Sequence, residues 1–332
     1  MFRRNEGGYP MNDEQLHEEE FPIIWDNTMK TLVWVCPRKF YWFMRGYDYA
    51  TRPPYFTWGS AWQEIMVTWY EGQPKDSVLD TKSPEFWVLA NEALDSGQRF
   101  YDREIGEADP KIDNSRDNLE AIWSNYIREH PSEPWKMVPE GSEVGWVWPL
   151  KGTDFFLAGS LDGYIEWKPY GFLAIENKTT SEYLSDGFVG RWDFAPQVTG
   201  YVWYLDELLG SETVFGCLMN LVTKKRPGAK SAWKTPRTTR SLVKKSKSQL
   251  GEFREQSLWT IELAQTYWKN WFWPMTQDAT NCTGGAGKAP CLFKNVCRVD
   301  GIPFTKFEPL TTSGIILRGS KWEPWLRRGA SE

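Results

Sequence analysis

The sequence predicts an α/β fold with a central mixed sheet flanked by helices, and three stretches carry that expectation. Residues 157–167 and 172–179 have strand-forming composition and are separated by Lys168, Pro169, Tyr170 and Gly171, which reads as a hairpin. Residues 193–209 follow with helical periodicity, and residues 213–222 return as an apolar strand. Strands interleaved with a helix in this way make an α/β pattern.

The chain has 332 residues, enough for one large core or two. Its 21 tryptophans call for extensive burial or stacking surfaces. Five cysteines are an odd number, which excludes a fully paired disulfide scaffold. The first twenty residues lack the apolar region of a signal peptide, and no run of 18 apolar residues occurs. These features predict a cytoplasmic protein without a membrane partner. The two histidines are His17 in a polar stretch and His130 before Pro131, which leaves a His-rich metal site or a Ser-His-Asp triad without its residues. No Gly-rich G-K-[ST] phosphate loop is present, so ATPase chemistry is not expected.

In chain order, residues 1–24 read as a polar tail and 25–315 as one domain. Residues 26–45 predict a helix capped by Asp26, Asn27 or Thr28 and carrying Leu32, Val35, Cys36 and Tyr41. Residues 56–71 predict a helix from about Ser60 with Trp62, Ile65, Met66 and Trp69 as its apolar stripe. A charged helical insertion spans about 72–134, with helices near 84–95 and 115–129. Residues 137–150 read as a strand that brings Glu140 or Glu143 toward the hairpin, so that 137–222 forms the core. Residues 251–273 predict a long helix packed through Trp259, Leu263, Thr266 and Tyr267, and 316–332 a second polar tail.

Chemistry concentrates on the hairpin. Glu176 and Lys178 are two apart, so on a strand they share a face, and Asp162 on the partner strand can reach it. Two carboxylates and an ammonium converge there, an arrangement suited to a hard divalent cation such as Mg²⁺.

Asp162 followed by Glu176-Asn177-Lys178 resembles the core of the PD-(D/E)XK nuclease superfamily, whose restriction-endonuclease-like domain is a mixed sheet between helices. Gln197 and Tyr201 resemble the Q-x-x-x-Y helix motif of its RecB-like branch, which includes AddB, the CRISPR-associated iron–sulfur exonucleases and many phage exonucleases. The resemblance implies Mg²⁺- or Mn²⁺-dependent hydrolysis of DNA at single-stranded or duplex ends. Asp162 and Glu176 would hold the metal, Lys178 would position water, and Gln197 and Tyr201 would order the site. That branch usually places a metal-binding histidine four residues after a helix glycine. Here Gly59 is followed at that spacing by Gln63, with Glu64 beside it as the preferred metal-side residue and Gln63 as the second choice. The resemblance also implies a bacterial or phage setting and a recombination or defence partner. Two alternatives stay open, an inactive DNA-binding or assembly protein that retains the fold and a nuclease that acts on RNA.

Cys36-Pro37-Arg38-Lys39-Phe40-Tyr41 resembles the C-P-x-x-F-x-Y stretch of the iron–sulfur members. With Cys282, Cys291 and Cys297, it implies a four-cysteine [4Fe–4S] cluster. The C-x8-C spacing that replaces the usual C-x2-C leaves structural Zn²⁺ as the alternative. Cys217, inside a strand, reads as a core thiol. Residues 224–247 contain ten basic residues and no acid, whereas the whole chain carries −5. Lys224, Lys225, Arg226, Lys230 and Lys234, with Trp233 among them, are therefore expected to contact nucleic-acid phosphates.

Overall fold

A computed structural model describes residues 21–49, 53–74, 79–106, 112–210, 213–224, 238–284, 290–298, 315–317 and 322–326. In chain order its elements are β1 (Ile24–Trp25), α1 (Asn27–Val35), α2 (Pro37–Met44), β2 (Tyr47–Tyr49), α3 (Pro54–Gly72), α4 (Pro84–Glu104), α5 (Arg116–Glu129), β3 (Lys136–Pro149), β4 (Phe156–Trp167), β5 (Gly171–Thr180), α6 (Asp186–Gly190), α7 (Pro196–Leu209), β6 (Val214–Thr223), β7 (Thr238–Val243), α8 (Lys247–Asn270), α9 (Thr280–Thr283) and β8 (Ile315–Leu317). The chain divides into two compact units, one comprising 1–51, 147–158 and 252–324, the other 52–146, 159–251 and 325–332.

The second unit holds the central sheet. β4 and β5 form the expected antiparallel hairpin, with register from Gly163↔Ile175 to Trp167↔Gly171. The turn closes through the Tyr170 amide on the Trp167 carbonyl at 2.7 Å. β5 then pairs in parallel with β6, and β6 antiparallel with β7, while β3 pairs with β4. The sheet is therefore mixed, as α7 carries the chain from β5 across to β6. One face is covered by α3, α4 and α5, whose Trp62, Ile65, Ala93, Leu119 and Trp123 pack on Ile165, Leu173, Ile175 and Leu218. α7 packs on β5 and β6 through a run that includes buried Val198, Val202 and Leu205.

α3 begins six residues before Ser60 because Pro54 occupies its first turn, where a missing N–H costs nothing. Trp58 and Trp62 stack along it with parallel rings 6.0 Å apart. α4 approaches α3 at Gly97, where a Cβ would lie 2.6 Å from the Ala61 carbonyl oxygen. His130 follows α5, half-buried with Nε2 2.8 Å from Thr238 Oγ1, and burial pushes its imidazole down to about 4.

In the first unit, Asp26 caps α1 by accepting the Met29 amide at 2.8 Å, and Cys36 stands between α1 and α2 where Pro37 starts a new helix. β1 runs parallel to the start of β4, and β2 pairs with β8. Trp25, Phe40, Tyr41 and Trp273 form an aromatic core.

α8 corrects one expectation. Trp259 is 68 % exposed and Thr266 is exposed, while Leu250, Phe253, Ser257, Thr260, Ile261, Ala264 and Trp268 are buried. Ser257 and Thr260 can sit in the apolar face because their hydroxyls donate to the Phe253 and Gln256 carbonyls at 2.8 and 2.7 Å. Among the described residues, no helix is long and apolar enough to cross a membrane.

β6 enters the sheet through a bulge at which Val214 pairs with Phe172 and Gly216 with Leu173. Gly216 has φ of +156°, and a Cβ there would meet the Val243 carbonyl oxygen at 2.2 Å. Gly216→Ala is expected to destabilise the fold by about 2 kcal/mol or more, through strain and loss of β6–β7 pairing. Urea denaturation followed by far-UV circular dichroism measures this, and a variant as stable as its parent contradicts the described register.

Candidate functional site

Strand alternation sends Glu176 and Lys178 to the α7 side of β5 and Asn177 to the α3 side. The β4–β5 ladder runs as far as Gly163↔Ile175. Beyond it, the Asn177 amide donates to Asp162 Oδ2 at 2.7 Å, so a side chain takes the place of a ladder partner and draws Asp162 to the Glu176 position.

Glu176 is 1 % exposed. Its Oε1 forms an ion pair with the Lys178 ammonium and accepts Gln197 Nε2 at 3.3 Å. Gln197 Nε2 also lies 2.5 Å from the Tyr201 hydroxyl, one helical turn on. The structure thus brings Asp162, Glu176, Lys178, Gln197 and Tyr201 together. Burial, then the negative charge of Glu176 and of Glu143, raises the Asp162 carboxyl well above the ordinary range, against the opposing Lys178 charge and Asn177 amide. Burial alone would lower Lys178, but Glu176 and Asp162 outweigh it and hold the ammonium above its usual value. Burial and the same two carboxylates push the Tyr201 phenol well up, which keeps it a hydroxyl.

Glu176 Oε2 is buried and has no hydrogen-bond partner. Such an atom is costly unless something positive meets it. Asp162 and Glu176 thus offer the hard oxygen donors a Mg²⁺-like cation takes, and such ions commonly use one or two carboxylates and keep several waters. Among the described residues, no three His, Cys, Asp or Glu side chains come together closely enough to hold a metal ion alone.

On the α3 side, Gln63 Nε2 donates to Glu143 Oε1 at 2.5 Å, and Gln63 Oε1 accepts Asn177 Nδ2 at 3.2 Å. Glu64 accepts the Thr68 hydroxyl through its backbone carbonyl at 3.0 Å. Glu140 and Glu143 have φ of 59° and 51°, a left-handed conformation that non-glycine residues adopt at a cost on the order of 1 kcal/mol each. It is the kind of local strain that redirects a side chain, and here it delivers the Glu143 carboxylate to Gln63.

Sequence reasoning passed over Asn177 and what lies behind it. Asn177 Oδ1 accepts from Tyr70 Oη at 3.2 Å and Asn220 Nδ2 at 2.9 Å. Asn220 Nδ2 also reaches the Tyr126 hydroxyl, which accepts from Arg240 Nη2 at 2.8 Å, and Arg240 pairs with buried Glu133 at 2.8 Å. One available signal was Asn220, a polar residue in the otherwise apolar run 214–222.

Of the basic stretch, Arg240, Lys244, Lys245 and Lys247 are described, Arg240 paired with Glu133 and Lys245 donating to the Asp193 carbonyl, and so is Lys224. It is buried, its ammonium donating to Asn114 Oδ1 at 2.6 Å and lying 5.5 Å from the Trp58 ring centre, and burial lowers its pKa to about 8. Lys225, Arg226, Lys230, Trp233 and Lys234 lie outside the described residues.

All five cysteines are free thiols. Cys217 is buried in the sheet, its sulfur 3.8 Å from Met219 Sδ. Cys291 donates its amide to the Cys282 carbonyl at 3.0 Å. Burial pushes the Cys297 thiol up to about 11, opposed by Arg38 and reinforced by Cys36, Cys291 and Cys282.

No family model matches the chain, and no curated protein matches it. A solved structure that does match is that of a protein called SSO0001. It is 11 % identical, with 76 % of this chain and 81 % of that chain covered and a TM-score of 0.29. A TM-score of that size carries no argument about function.

Asn220→Leu is expected to cost about 2–4 kcal/mol, because it strips a donor from Asn177 and Tyr126 inside a buried polar network. Urea titration should show a lower midpoint at unchanged slope.

Proposed function

We propose that the protein is a divalent-metal-dependent deoxyribonuclease with a PD-(D/E)XK core of the RecB-like kind, hydrolysing phosphodiester bonds at DNA ends. The observation that carries this reading is the buried Glu176 oxygen without a donor, set beside Asp162 and Lys178. Asp162 and Glu176 would hold Mg²⁺ or Mn²⁺. When bound, the cation lowers the pKa of a water and polarises a phosphoryl oxygen. Lys178 keeps its positive charge and is partly exposed, so it can orient the attacking water or neutralise charge that develops on phosphate. Gln197 donates to the Glu176 carboxylate, and the Tyr201 hydroxyl accepts from the same Gln197 nitrogen. Residues 225–234 supply positive charge for the DNA backbone in this reading, whereas Lys224 is committed to Asn114. End processing in recombination or DNA capture in bacterial or phage cytoplasm is the setting that fits.

Glu176→Ala and Lys178→Ala should each lower cleavage by at least about 10²-fold at saturating DNA. The assay uses end-labelled single- and double-stranded DNA, closed-circular DNA and RNA, with Mg²⁺ and Mn²⁺. Undiminished cleavage by both variants rejects the site, and cutting of RNA alone assigns the other substrate. One observation favours a second reading, a DNA-binding protein without catalysis: Gln63 stands at the usual histidine position, and its carbonyl oxygen is taken by Asn177. Wild-type protein that binds DNA but cuts none of these substrates in either metal supports it.

Cys36, Cys282, Cys291 and Cys297 would hold a [4Fe–4S] cluster, with Zn²⁺ the alternative for the same soft donors. Either would tie the Cys36 corner to the 282–297 segment. Anaerobically purified protein should contain iron and sulfide, and Cys36→Ser should lose both and lower Tm, while Cys217→Ser keeps them. Stoichiometric zinc without iron, under iron-replete anaerobic expression, decides for zinc.

A further inference from the structure

The segment between β5 and α7 carries aromatic side chains into solvent beside the candidate site. Phe194 is 84 % exposed and Tyr183 is 50 % exposed. Phe194 is three residues from Gln197, at most about 11 Å of chain, and Tyr183 is five residues from Lys178. On the opposite side, α3 begins with exposed Tyr55 and Phe56 and reaches the end of β5 at Gly59, where a Cβ would lie 3.7 Å from Thr179 Oγ1. Four exposed aromatic residues therefore border the place where the Glu176–Lys178 strand leaves the sheet.

The segment is built rather than loose. Ser185 caps α6 by accepting the Phe188 amide, and the Arg191 guanidinium lies 3.5 Å from the Phe188 ring centre. The Ala195 amide closes the turn on the Trp192 carbonyl at 3.2 Å, and Lys245 donates to the Asp193 carbonyl. A phenyl ring held out on such a turn gains little by burial and offers a flat apolar face to a ligand. Local charge does not favour a phosphate in particular: Arg191 pairs with Glu182, and Lys245 lies beside Asp193. What remains is a ring face, which matches a nucleobase.

We propose that Phe194, assisted by Tyr183, is a stacking surface for unpaired bases, so that the preferred substrate is a single-stranded DNA end entering beside Glu176. This rests on the nuclease reading above. Base stacking on an aromatic ring is sequence-tolerant and typically changes affinity several-fold to a hundredfold per base.

The test measures binding of a fluorescent single-stranded oligonucleotide and a blunt duplex of equal length in EDTA, at several salt concentrations, with 2-aminopurine at the strand end in a parallel series. Phe194→Ala should weaken single-strand binding roughly 5- to 100-fold. It should abolish 2-aminopurine quenching and leave duplex affinity and Tm unchanged. The dependence of log affinity on log salt should keep its slope, because no phosphate contact is lost. Phe194→Trp should restore binding and quenching. Unchanged single-strand affinity and quenching in Phe194→Ala overturns the proposal and leaves the ring as a protein contact, with the nuclease reading judged separately by Glu176→Ala cleavage. An equal loss for duplex and single strand, or a flatter salt slope, also overturns it. Wild-type protein that neither binds nor cuts nucleic acid overturns both.

Discussion

Glu176 sits in the sheet at 1 % exposure, and a carboxylate so placed costs several kcal/mol unless its oxygens are met. Much of the second unit answers that demand. Lys178 comes from the same strand, two residues on, and Gln197 from the helix that crosses between β5 and β6. The crossover makes β5 and β6 parallel and sets α7 against the face on which Glu176 points. A helix elsewhere could not bring an amide to Oε1. The remaining oxygen is left without a donor, and burial, joined by the charges of Glu176 and Glu143 against that of Lys178, raises Asp162. A fold that supplies donors for one oxygen and leaves the other bare favours a cation at that point.

β5 serves two chemistries because its faces differ. Toward α7 it presents Glu176 and Lys178. Toward α3 it presents Ile175 to an aromatic core and Asn177 to a polar chain that ends in the Arg240–Glu133 pair. The bonds of that chain run through the Asn220 amide nitrogen, which donates to Asn177, Tyr70 and Tyr126, while Asn220 Oδ1 is left without a partner. The tryptophans that flank the chain give it a dry surround: Trp62 packs edge-on to Tyr126, and Trp135 to Tyr70.

The hairpin, the crossover helix and β6 were legible because each carries its own local signal. Gly171 ends the turn, apolar residues alternate or run together at strand length, and Gln197 and Tyr201 are spaced one helical turn apart. The grouping of Asp162, Glu176 and Lys178 followed from period-2 geometry. What was not legible depended on tertiary partners. α8 buries serine and threonine and exposes Trp259, since intrahelical bonds to carbonyls make hydroxyls acceptable in a core, and aromatic content misled. Lys224 reads as part of a basic run, yet the position of Asn114 on a distant segment turns it inward. Asn177 carries no signal of its own in the sequence; its role exists only because Tyr70 and Asn220 converge on it.

The position of Gln63 shows how such a network sets chemistry. An amide can present either its oxygen or its nitrogen to a neighbour. Asn177 Oδ1 is occupied by Tyr70 and Asn220, so its nitrogen must face Gln63. Gln63 therefore turns its oxygen to Asn177 and its nitrogen to Glu143. Glutamine is thus consistent with its surroundings, at the cost of its own oxygen as a cation donor. The left-handed backbone at Glu143 adds a negative group to the field that raises Asp162. If the proposed metal-dependent reading holds, the added carboxylate charge would serve a Mg²⁺-like cation better than an imidazole, since such ions are bound by oxygen and charge.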